Sequence, residues 1–495
     1  MALIEAEPEG GCSVASTGDA PPALVEEMLE RIRAVRTTPR TIEADLRYGD
    51  GEIVLDTSKP LGFEDGIVHH LVDDQHLWIA VNSAGVLVLD DRDHDALTRL
   101  LDGVPPEGLL DASCASDAEQ VRASLGDLLG RMAEAGFIES TSRFVNQRMP
   151  TPARFARFHL TKSCQLSCVH CYADSSPSVD RSGEQPTEWW RQTIDELAEI
   201  GTERILFTGG EALLHRGCLD LMAHAKSAGI LVALFSNGIL VPKVIDRLRD
   251  SCDEVQISLD GPDPESNDAI RGRGVYGHAT RALEVLLETD LRVRVGITNM
   301  ASNWEAWRTS FLDFAERFAD SDLEYRLSFG LTEYGRADGL GQQLQPEDTQ
   351  PEVERLLRGK RGSRDGRRIT QRASGCGYFE QMVFGPDGSL YPCHLLDMPV
   401  GHADDQPLTR WAAELTELAR LFSVDHTEGC SECDIRYLCG GTCRVINGKR
   451  TGSRLVTTCT DGDKARRFRN LARTYAQPQG DACHDDDRRR GAEPR

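Results

Sequence analysis

Between residues 155 and 330, short apolar runs alternate with segments in which apolar residues recur at helical spacing. The runs are rich in Val, Ile and Leu and end in polar residues or glycine, which is typical of strands. Strands that alternate with helices predict βαβ units and a parallel sheet. The predicted strands are RFHL, RILFTG, LVALFSNG, EVQISLDG, RVRVGITN and LEYRLSFG, separated by helical segments such as WWRQTIDELAEIG, CLDLMAHAKSAG, HATRALEVLLETD and EAWRTSFLDFAERFA.

Six such units within about 175 residues are too few for a closed eight-stranded barrel. The predicted fold class is therefore α/β, with a partial (β/α)6 TIM-like barrel over residues 151–335. In βα barrels the active site lies at the C-terminal ends of the strands. The segments LTKSC, FTGGE, FSNG and SLDG all fall at such ends.

The regions that flank the barrel have different patterns. Residues 41–150 predict a small α+β domain, with strands IVHHLV, HLWIAVN and GVLVLD followed by helices DALTRLLDG and AEQVRASLGDLLGRMAEAG. Residues 1–40 predict a flexible segment with one short helix, PALVEEMLERIRAV. Residues 336–370 predict a polar linker, residues 371–476 a cysteine-rich domain, and residues 477–495 a disordered tail.

Charge and composition narrow the classes of partner. The net charge of −24 disfavours nucleic acid, whose phosphates would be repelled. The sequence has no apolar run of the roughly 18–20 residues that a membrane span needs, and no signal peptide is recognisable at its start. We therefore expect a cytoplasmic protein with no nucleic-acid or membrane partner. In that reducing compartment, closely spaced cysteines indicate metal binding or catalysis rather than disulfides.

The first cysteine group lies in LTKSCQLSCVHCY and consists of Cys164, Cys168 and Cys171. Thiolates bind soft metals and iron–sulfur clusters, and a cubane cluster normally takes four cysteines. Three cysteines would leave one iron with an open position. The alternative is a structural zinc loop with a distant fourth ligand.

The spacing Cys-x3-Cys-x2-Cys resembles the signature of the radical S-adenosylmethionine (SAM) enzymes. The resemblance implies a 4Fe–4S cluster whose open iron is chelated by SAM, and cleavage of SAM to a 5′-deoxyadenosyl radical. It also implies that other residues of the strand-end loops bind SAM, namely His170, Tyr172, Gly209, Gly210, Glu211, Ser236, Ser258, Asp260 and Arg271. A plain βα turn for the GGE segment and a solvated surface charge for Arg271 are the alternatives.

The second cysteine group resembles the seven-cysteine pattern of the SPASM domain, which carries auxiliary iron–sulfur clusters. It runs from Cys376 through GPDGSLYPC and CGGTC to Cys459. The resemblance implies a first cluster on Cys376, Cys393 and Cys443, and a second on Cys430, Cys433, Cys439 and Cys459. The fourth ligand of the first cluster could be another protein group, water or the substrate. Zinc completed by His394 or His426 is the alternative, and Gly388 could serve only the hairpin turn.

The segments LWIAVNSAGVLVLDD and LLGRMAEAGFIES resemble the small winged-helix peptide-binding domain of ribosomal-peptide biosynthesis, typified by the pyrroloquinoline-quinone peptide chaperone. The resemblance implies that the leader of a precursor peptide adds a strand to the edge of the sheet. Residues 41–150 hold 21 Asp and Glu against 8 Lys and Arg, which favours a leader with basic residues. A capping domain with no peptide role is the alternative, and the charge disfavours a DNA-binding winged helix.

These resemblances predict a radical SAM maturase that modifies a ribosomally made precursor peptide (a RiPP), most simply by an intramolecular cross-link that follows hydrogen abstraction. The implied cofactors are SAM, the SAM-binding 4Fe–4S cluster and two auxiliary iron–sulfur clusters, with flavodoxin or ferredoxin as electron donor. The alternatives are sulfatase-maturase-like protein modification, a small-molecule radical SAM oxidoreductase and a non-enzymatic multi-cluster electron carrier. The sequence identifies no catalytic acid or base.

Overall fold

The computed structural model describes residues 58–110, 118–138, 151–328, 331–344 and 375–476, together with Thr349, Val353 and Leu356. The predicted N-terminal segment with its helix, most of the predicted linker and the predicted tail lie outside these residues. Within them, the order of elements follows the prediction: a small antiparallel sheet with helices, then alternating strands and helices, then a cysteine-rich region.

The N-terminal region forms a three-stranded antiparallel sheet followed by helices, as the sequence predicts. Helix α1 starts where the carboxylate of Asp90 accepts a hydrogen bond from the backbone N–H of Asp93 at 2.8 Å, which satisfies a free donor of the first turn. One face of the sheet, including Trp78 and Leu87, packs on Leu97 and Leu128 of the helices. The elements are β1 (Ile67–Val72), β2 (Gln75–Ala80), β3 (Gly85–Leu89), α1 (Asp91–Leu101), α2 (Pro106–Leu110) and α3 (Ala118–Glu134).

All six predicted barrel strands are present, parallel and adjacent in sequence order. They are β4 (Phe155–His159), β5 (Arg204–Thr208), β6 (Leu231–Ser236), β7 (Glu254–Ser258), β8 (Arg292–Thr298) and β9 (Glu324–Ser328). The connecting helices are α4 (Thr187–Glu199), α5 (Cys218–Ser227), α6 (Val241–Ser251), α7 (Pro264–Arg271), α8 (Val275–Leu287) and α9 (Ala301–Glu316). The apolar residues of the strands and helices pack together in one large core.

The sheet continues beyond these six strands, which the sequence did not predict. Strand β10 (Met382–Phe384) pairs parallel with β4, and β11 (Ser389–Tyr391) and β12 (Gly401–His402) extend it antiparallel. The PDG turn between β10 and β11 is the hairpin turn expected from the sequence. Gly388 has a φ of +84°, and a Cβ there would lie 2.6 Å from Nε2 of His402, so only glycine fits.

The C-terminal region completes the structure with α10 (Leu408–Leu421), α11 (Arg436–Cys439), α12 (Arg444–Thr451) and α13 (Asp461–Tyr475). It packs on the second face of the N-terminal sheet, where Ile79 and Val86 meet Val424, Tyr437 and Phe468. Both faces of that sheet are therefore covered, and its edge strands β1 and β3 have no further strand beside them among the described residues. No helix in the described ranges is long and apolar enough to cross a membrane.

Candidate active site

The first cysteine group forms a loop directly after β4, at the C-terminal end of the parallel sheet. The sulfur of Cys164 accepts hydrogen bonds from the backbone N–H of Leu166 at 3.4 Å and from Nδ2 of Asn237 at 3.7 Å. The pKa of Cys164 is raised to about 11, mainly by burial and in smaller part by Glu211, Cys168 and Cys171. The three thiols are thus close enough to repel one another when ionised. N–H donors aimed at sulfur favour a thiolate that ligates metal, so the loop fits the cluster that its spacing implies.

The glycines of the GGE segment allow the chain to pass against this loop. A Cβ on Gly209 would lie 2.4 Å from the carbonyl oxygen of Thr161, and one on Gly210 would lie 2.3 Å from that of Ser163. The backbone N–H of Gly210 donates a hydrogen bond to the carbonyl oxygen of Thr161 at 2.7 Å, and the backbone N–H of Glu211 donates one to the carbonyl oxygen of Ser163 at 2.9 Å. Because these N–H groups are already bonded, the segment has carbonyl oxygens to offer to the SAM amino group. That contact stays a prediction.

The side chain of Glu211 is buried and holds the turn after β6. Its carboxylate accepts hydrogen bonds from Oγ of Ser236 at 3.1 Å and from the backbone N–H of Asn237 at 2.9 Å. Burial raises the pKa of Glu211 to about 7, although these hydrogen bonds oppose the shift. Asn237 of this turn donates a hydrogen bond to the sulfur of Cys164, so the turn contacts the cysteine loop. Glu211 and Ser236 therefore position the cysteine loop, and a direct contact of either side chain with SAM stays a prediction.

Three predicted site residues from different elements meet in one buried charge cluster. The carboxylate of Asp260, after β7, forms ion pairs with Nε of Arg271 at 2.7 Å and with Nε2 of His170 at 3.0 Å. It also accepts a hydrogen bond from the backbone N–H of Thr298. Burial alone would raise the pKa of Asp260, but Arg271 and His170 outweigh it and hold that pKa well below its usual range.

His170 directly precedes Cys171 in the cysteine loop after β4, and Asp260 follows β7. The ion pair between His170 and Asp260 therefore joins the cysteine loop to the end of a strand three places away in the sheet. Asp260 is fully buried and the guanidinium of Arg271 is engaged by it. Pairing of Arg271 with the SAM carboxylate, and contacts of Asp260 and His170 with SAM, remain predictions.

The two remaining predicted SAM-site residues lie at the mouth of the sheet. Ser258 ends β7, pairs with Gly296 across the sheet and is partly exposed. The ring of Tyr172 packs edge-on against that of His394, with ring centroids 5.5 Å apart. Burial raises the pKa of Tyr172, and the nearby guanidinium of Arg157 opposes that shift.

Several of the seven C-terminal cysteines have a pKa that is raised by neighbours from the set to which the resemblance assigns them. Cys376 and Cys443 each raise the pKa of Cys393, which burial brings to about 12. In the other set, Cys430 and Cys433 raise the pKa of Cys439, and Cys430 and Cys439 raise that of Cys459; burial is the largest cause in both.

An arginine side chain contacts the second set of C-terminal cysteines. A guanidinium nitrogen of Arg467 donates to the sulfur of Cys439 at 2.9 Å and lowers the pKa of that thiol. Such a donor favours the thiolate form. The fourth ligand of the first set is not fixed by these contacts, and the assignment of the cysteines to clusters stays a prediction.

The distances between cysteine sulfurs can be compared with those that the alternative, a zinc site, requires. Four thiolates at about 2.3 Å from one tetrahedral zinc lie roughly 3.8 Å apart. Within the described residues, the group of three whose ligand atoms lie within 4.8 Å of one another is His69, His76 and His94, and no three cysteines meet that limit. Among the described residues, no three of the ten cysteines therefore lie as close together as the ligands of one zinc ion would. Thiolates that bind different irons of one cluster lie further apart, which suits this arrangement.

Several residues at the site escaped the sequence reasoning. Arg336 donates to the backbone carbonyls of Cys168 at 3.0 Å and of Ser175 at 2.7 Å, so it braces the cysteine loop. It lies at the start of the predicted linker, and nothing in its sequence context marks it. Arg157 and Arg326 line the inner face of the sheet, and a signal existed for both. Charged residues at alternate positions of predicted parallel strands indicate a polar lumen.

The comparison with protein families decides the class. Residues 158–311 match the family model described as the radical SAM superfamily. This chain contains a radical SAM domain. The matched range contains Cys164, Cys168 and Cys171 and the strands that carry the predicted SAM-binding residues. The cofactors of the family are SAM and a 4Fe–4S cluster, and the chain is an enzyme of the radical SAM class.

Among curated proteins, this radical SAM chain is 26% identical over 344 residues to an AdoMet-dependent heme synthase of Methanosarcina barkeri, covering 62% of this chain and 95% of that protein. It is 25% identical over 328 residues to the PqqA peptide cyclase of Streptomyces rochei, covering 60% of this chain and 86% of that protein. Its relatives thus act on both peptides and porphyrins. Among solved structures, Streptococcus suis SuiB bound to S-adenosylmethionine superposes with a TM-score of 0.51 over 81% of this chain and 99% of SuiB. At 14% identity that likeness shows the fold alone.

Proposed function

We propose that this radical SAM enzyme is a peptide maturase that closes an intramolecular cross-link in a ribosomally made precursor peptide. The observation that carries the proposal is the N-terminal sheet. Its faces are covered by its own helices and by the cysteine-rich region, and among the described residues no strand pairs with its two edges, which are therefore open to main-chain pairing. A leader that adds a strand there would be held next to the cysteine-rich region. The similarity to a PqqA peptide cyclase supports a peptide substrate.

The chain's own residues prepare the site in stages. Cys164, Cys168 and Cys171 would hold the SAM-binding cluster. When reduced by a donor such as flavodoxin or ferredoxin, that cluster would supply the electron that cleaves SAM to methionine and the 5′-deoxyadenosyl radical needed for hydrogen abstraction. Asp260 holds the loop of these cysteines through His170. Cross-link closure also removes a second electron and a proton from the peptide. The two C-terminal cysteine sets would hold auxiliary clusters that accept that electron.

A second candidate function follows from the similarity to heme synthases, which covers 95% of one such protein. On this alternative the substrate is a porphyrin, and the N-terminal module has no peptide to bind. Both candidates use the same SAM site, so only the substrate distinguishes them.

The test compares substrates on the anaerobically reconstituted full chain with SAM and reductant. The substrates are the precursor peptide encoded beside the gene, the same peptide without its leader, and iron coproporphyrin III. We expect loss of two hydrogen atoms from the full precursor by mass spectrometry. The leaderless core should react about tenfold more slowly or worse, because a tethered leader raises the local concentration of the core.

Separate leader peptide added in excess should slow the reaction of the full precursor, since it competes for the sheet edge. Equal turnover of the leaderless core would refute leader docking. Consumption of the porphyrin with the peptide unchanged would refute the maturase and support the second candidate.

A further inference from the structure

The inner face of the parallel sheet is strongly cationic, although the chain as a whole carries a net charge of −24. On each strand, alternate residues pack on the helices, as Phe158 and Val295 do, and the residues between them face the lumen. Five lumen-facing residues are arginines and two are glutamates, which leaves an excess of three positive charges. They are Arg157, Arg204, Arg292, Arg294, Arg326, Glu254 and Glu324.

Both glutamates lie at the N-terminal ends of their strands and form ion pairs with arginines. Glu254 forms ion pairs with Arg204 and, at 3.1 Å, with Arg292. Glu324 pairs with Arg292 at 2.6 Å and with Arg294 at 2.8 Å. This network closes the bottom of the lumen. Among the described residues, no carboxylate in the lumen then remains to pair with the arginines that lie nearer the C-terminal ends of the strands.

Arg157 and Arg326 are these remaining cations. The Nε of Arg157 donates weakly to Gln381 at 3.4 Å, and the guanidinium of Arg326 lies 6.0 Å from the ring centroid of Phe235. Neither forms an ion pair with a described residue. Burial lowers the pKa of both, and nearby arginines lower it further. Arg326 is exposed and Arg157 is partly exposed, so an anion can reach both, and a recess lined by charges of one sign attracts the opposite charge.

The position of Arg157 ties this recess to the reaction site. It interacts electrostatically with Tyr172, next to Cys171, and with Cys393 of the first auxiliary set. The buried ring of His159 and the partly exposed ring of His394 complete the wall, and neither ring nitrogen of His159 has a hydrogen-bond partner. Burial lowers the pKa of His159 well below its usual value, so this ring is neutral at pH 7. A neutral imidazole can donate one N–H to an anion without adding charge.

We propose that Arg157 and Arg326 form a carboxylate-binding site in the barrel lumen, which holds a carboxylate of the substrate between the two cysteine regions. Arginine binds carboxylates through paired N–H donors, and a partly desolvated recess strengthens such contacts. The carboxylate is either an Asp or Glu side chain of the core peptide or its C-terminus. The inference takes the peptide from the proposed function. A carboxylate of a different substrate would use the same two arginines.

The probes are three short peptides titrated by saturation-transfer NMR against the reconstituted full chain with SAM. One is acetyl-Ala-Glu-Ala-amide, with a side-chain carboxylate; one is acetyl-Ala-Gln-Ala, with a C-terminal carboxylate; and one is acetyl-Ala-Gln-Ala-amide, with neither. We expect at least one acidic peptide to bind about tenfold or more tightly than the neutral one, as one charge-assisted contact provides. The acidic peptide that shows the preference identifies the source of the carboxylate.

Arg326→Gln should abolish this preference, and Arg326→Lys should retain part of it. The matched control is Arg281→Gln, which removes an exposed arginine on α8 that pairs with Glu284 three residues later. Arg157→Gln should act like Arg326→Gln. If Arg157→Gln does not fold, Arg326→Gln decides alone, because its side chain is accessible and no described carboxylate depends on it.

The result that overturns the proposal is a native enzyme without preference, or a preference that survives Arg326→Gln. A variant that shifts the reduction potential of a cluster in EPR titration but leaves the preference intact would show that the arginines only balance cluster charge. Because binding is measured without turnover, the site can stand even if no precursor peptide is modified.

Discussion

The ring of Tyr172 packs edge-on against the ring of His394, with centroids 5.5 Å apart and planes at 82°. Tyr172 directly follows Cys171, and His394 directly follows Cys393. The contact therefore joins the SAM-binding loop to the first auxiliary cysteine set. Edge-to-face pairs of this kind stabilise an arrangement by about 0.5–1.5 kcal/mol beyond the area that they bury.

We expect Tyr172→Ala to slow peptide modification about tenfold or more while it changes SAM cleavage much less. Without the ring the two loops can separate, and small misplacements of a reacting group cost large factors in rate. The measurement is the ratio of modified peptide to 5′-deoxyadenosine in the same reaction. Tyr172→Phe is the control, because it keeps the ring contact and loses only the hydroxyl. Equal loss of both products in Tyr172→Ala would instead support the SAM-binding role that the family resemblance implies.

Asp260→Asn should destabilise the barrel and weaken SAM binding together. Removing one partner of a buried ion pair costs about 3–5 kcal/mol, since Arg271 would remain buried without a counter-charge. The thermal midpoint should fall by several degrees, and the dissociation constant of SAM, measured by equilibrium dialysis, should rise about tenfold as the His170 end of the loop loosens. The exposed Asp313→Asn on α9 is the matched control. An unchanged midpoint with lost SAM binding would identify Asp260 as a direct ligand rather than a positioning residue.

The sequence predicts the parallel strands because each is a Val- or Ile-rich run with a helical segment on either side. It also predicts which strand ends carry chemistry, since cysteine spacing is a local signal. It does not predict that β10 joins β4, because these strands are more than 200 residues apart and β10 has only three residues. Nor does it predict that Arg271 pairs with Asp260. That contact depends on how α7 is placed over β7, which no local pattern encodes.

Gly210→Ala should prevent the SAM-binding cluster from assembling. The new methyl would lie 2.3 Å from the carbonyl oxygen of Ser163 and 2.6 Å from that of Lys162, and backbone cannot move aside as a side chain could. The cysteine loop would be displaced, and we expect about four fewer irons per chain after anaerobic reconstitution. Iron and sulfide analysis measures this directly.

Gly277→Ala is the control, because it lies in α8 with no atom within 4 Å of the new Cβ. It should keep full iron content and gain roughly 0.5–1 kcal/mol of stability from its better helix propensity. Full iron content in Gly210→Ala would show that the loop tolerates displacement and that the glycines serve SAM instead.

The stability of the N-terminal sheet should depend on pH through a group of histidines. The rings of His76 and His94 stack with centroids 3.7 Å apart, and that of His69 lies 4.7 Å from His94. Burial lowers the pKa of His69 and of His94, and repulsion from neighbouring imidazolium rings lowers it further. The indole of Trp78 donates to Nδ1 of His94 at 3.2 Å, and the nearby carboxylates of Asp91 and Asp95 only partly oppose the shift for His94.

The lowered pKa values of His69 and His94 determine whether acid stabilises or destabilises the sheet. Near and below about pH 6.5, histidines of the unfolded chain are protonated to a larger extent than His69 and His94 of the folded sheet, because the folded pKa values are lower. The unfolded form then binds more protons, so acidification from pH 7.5 to 6 should destabilise the sheet. Hydrogen exchange of the β1–β3 amides in the full chain, corrected for intrinsic rates, should show opening that is a few-fold more frequent at pH 6. His94→Gln should flatten this dependence, and the exposed His278→Gln on α8 should leave it unchanged. If His94→Gln keeps the full dependence, another titrating group drives the opening.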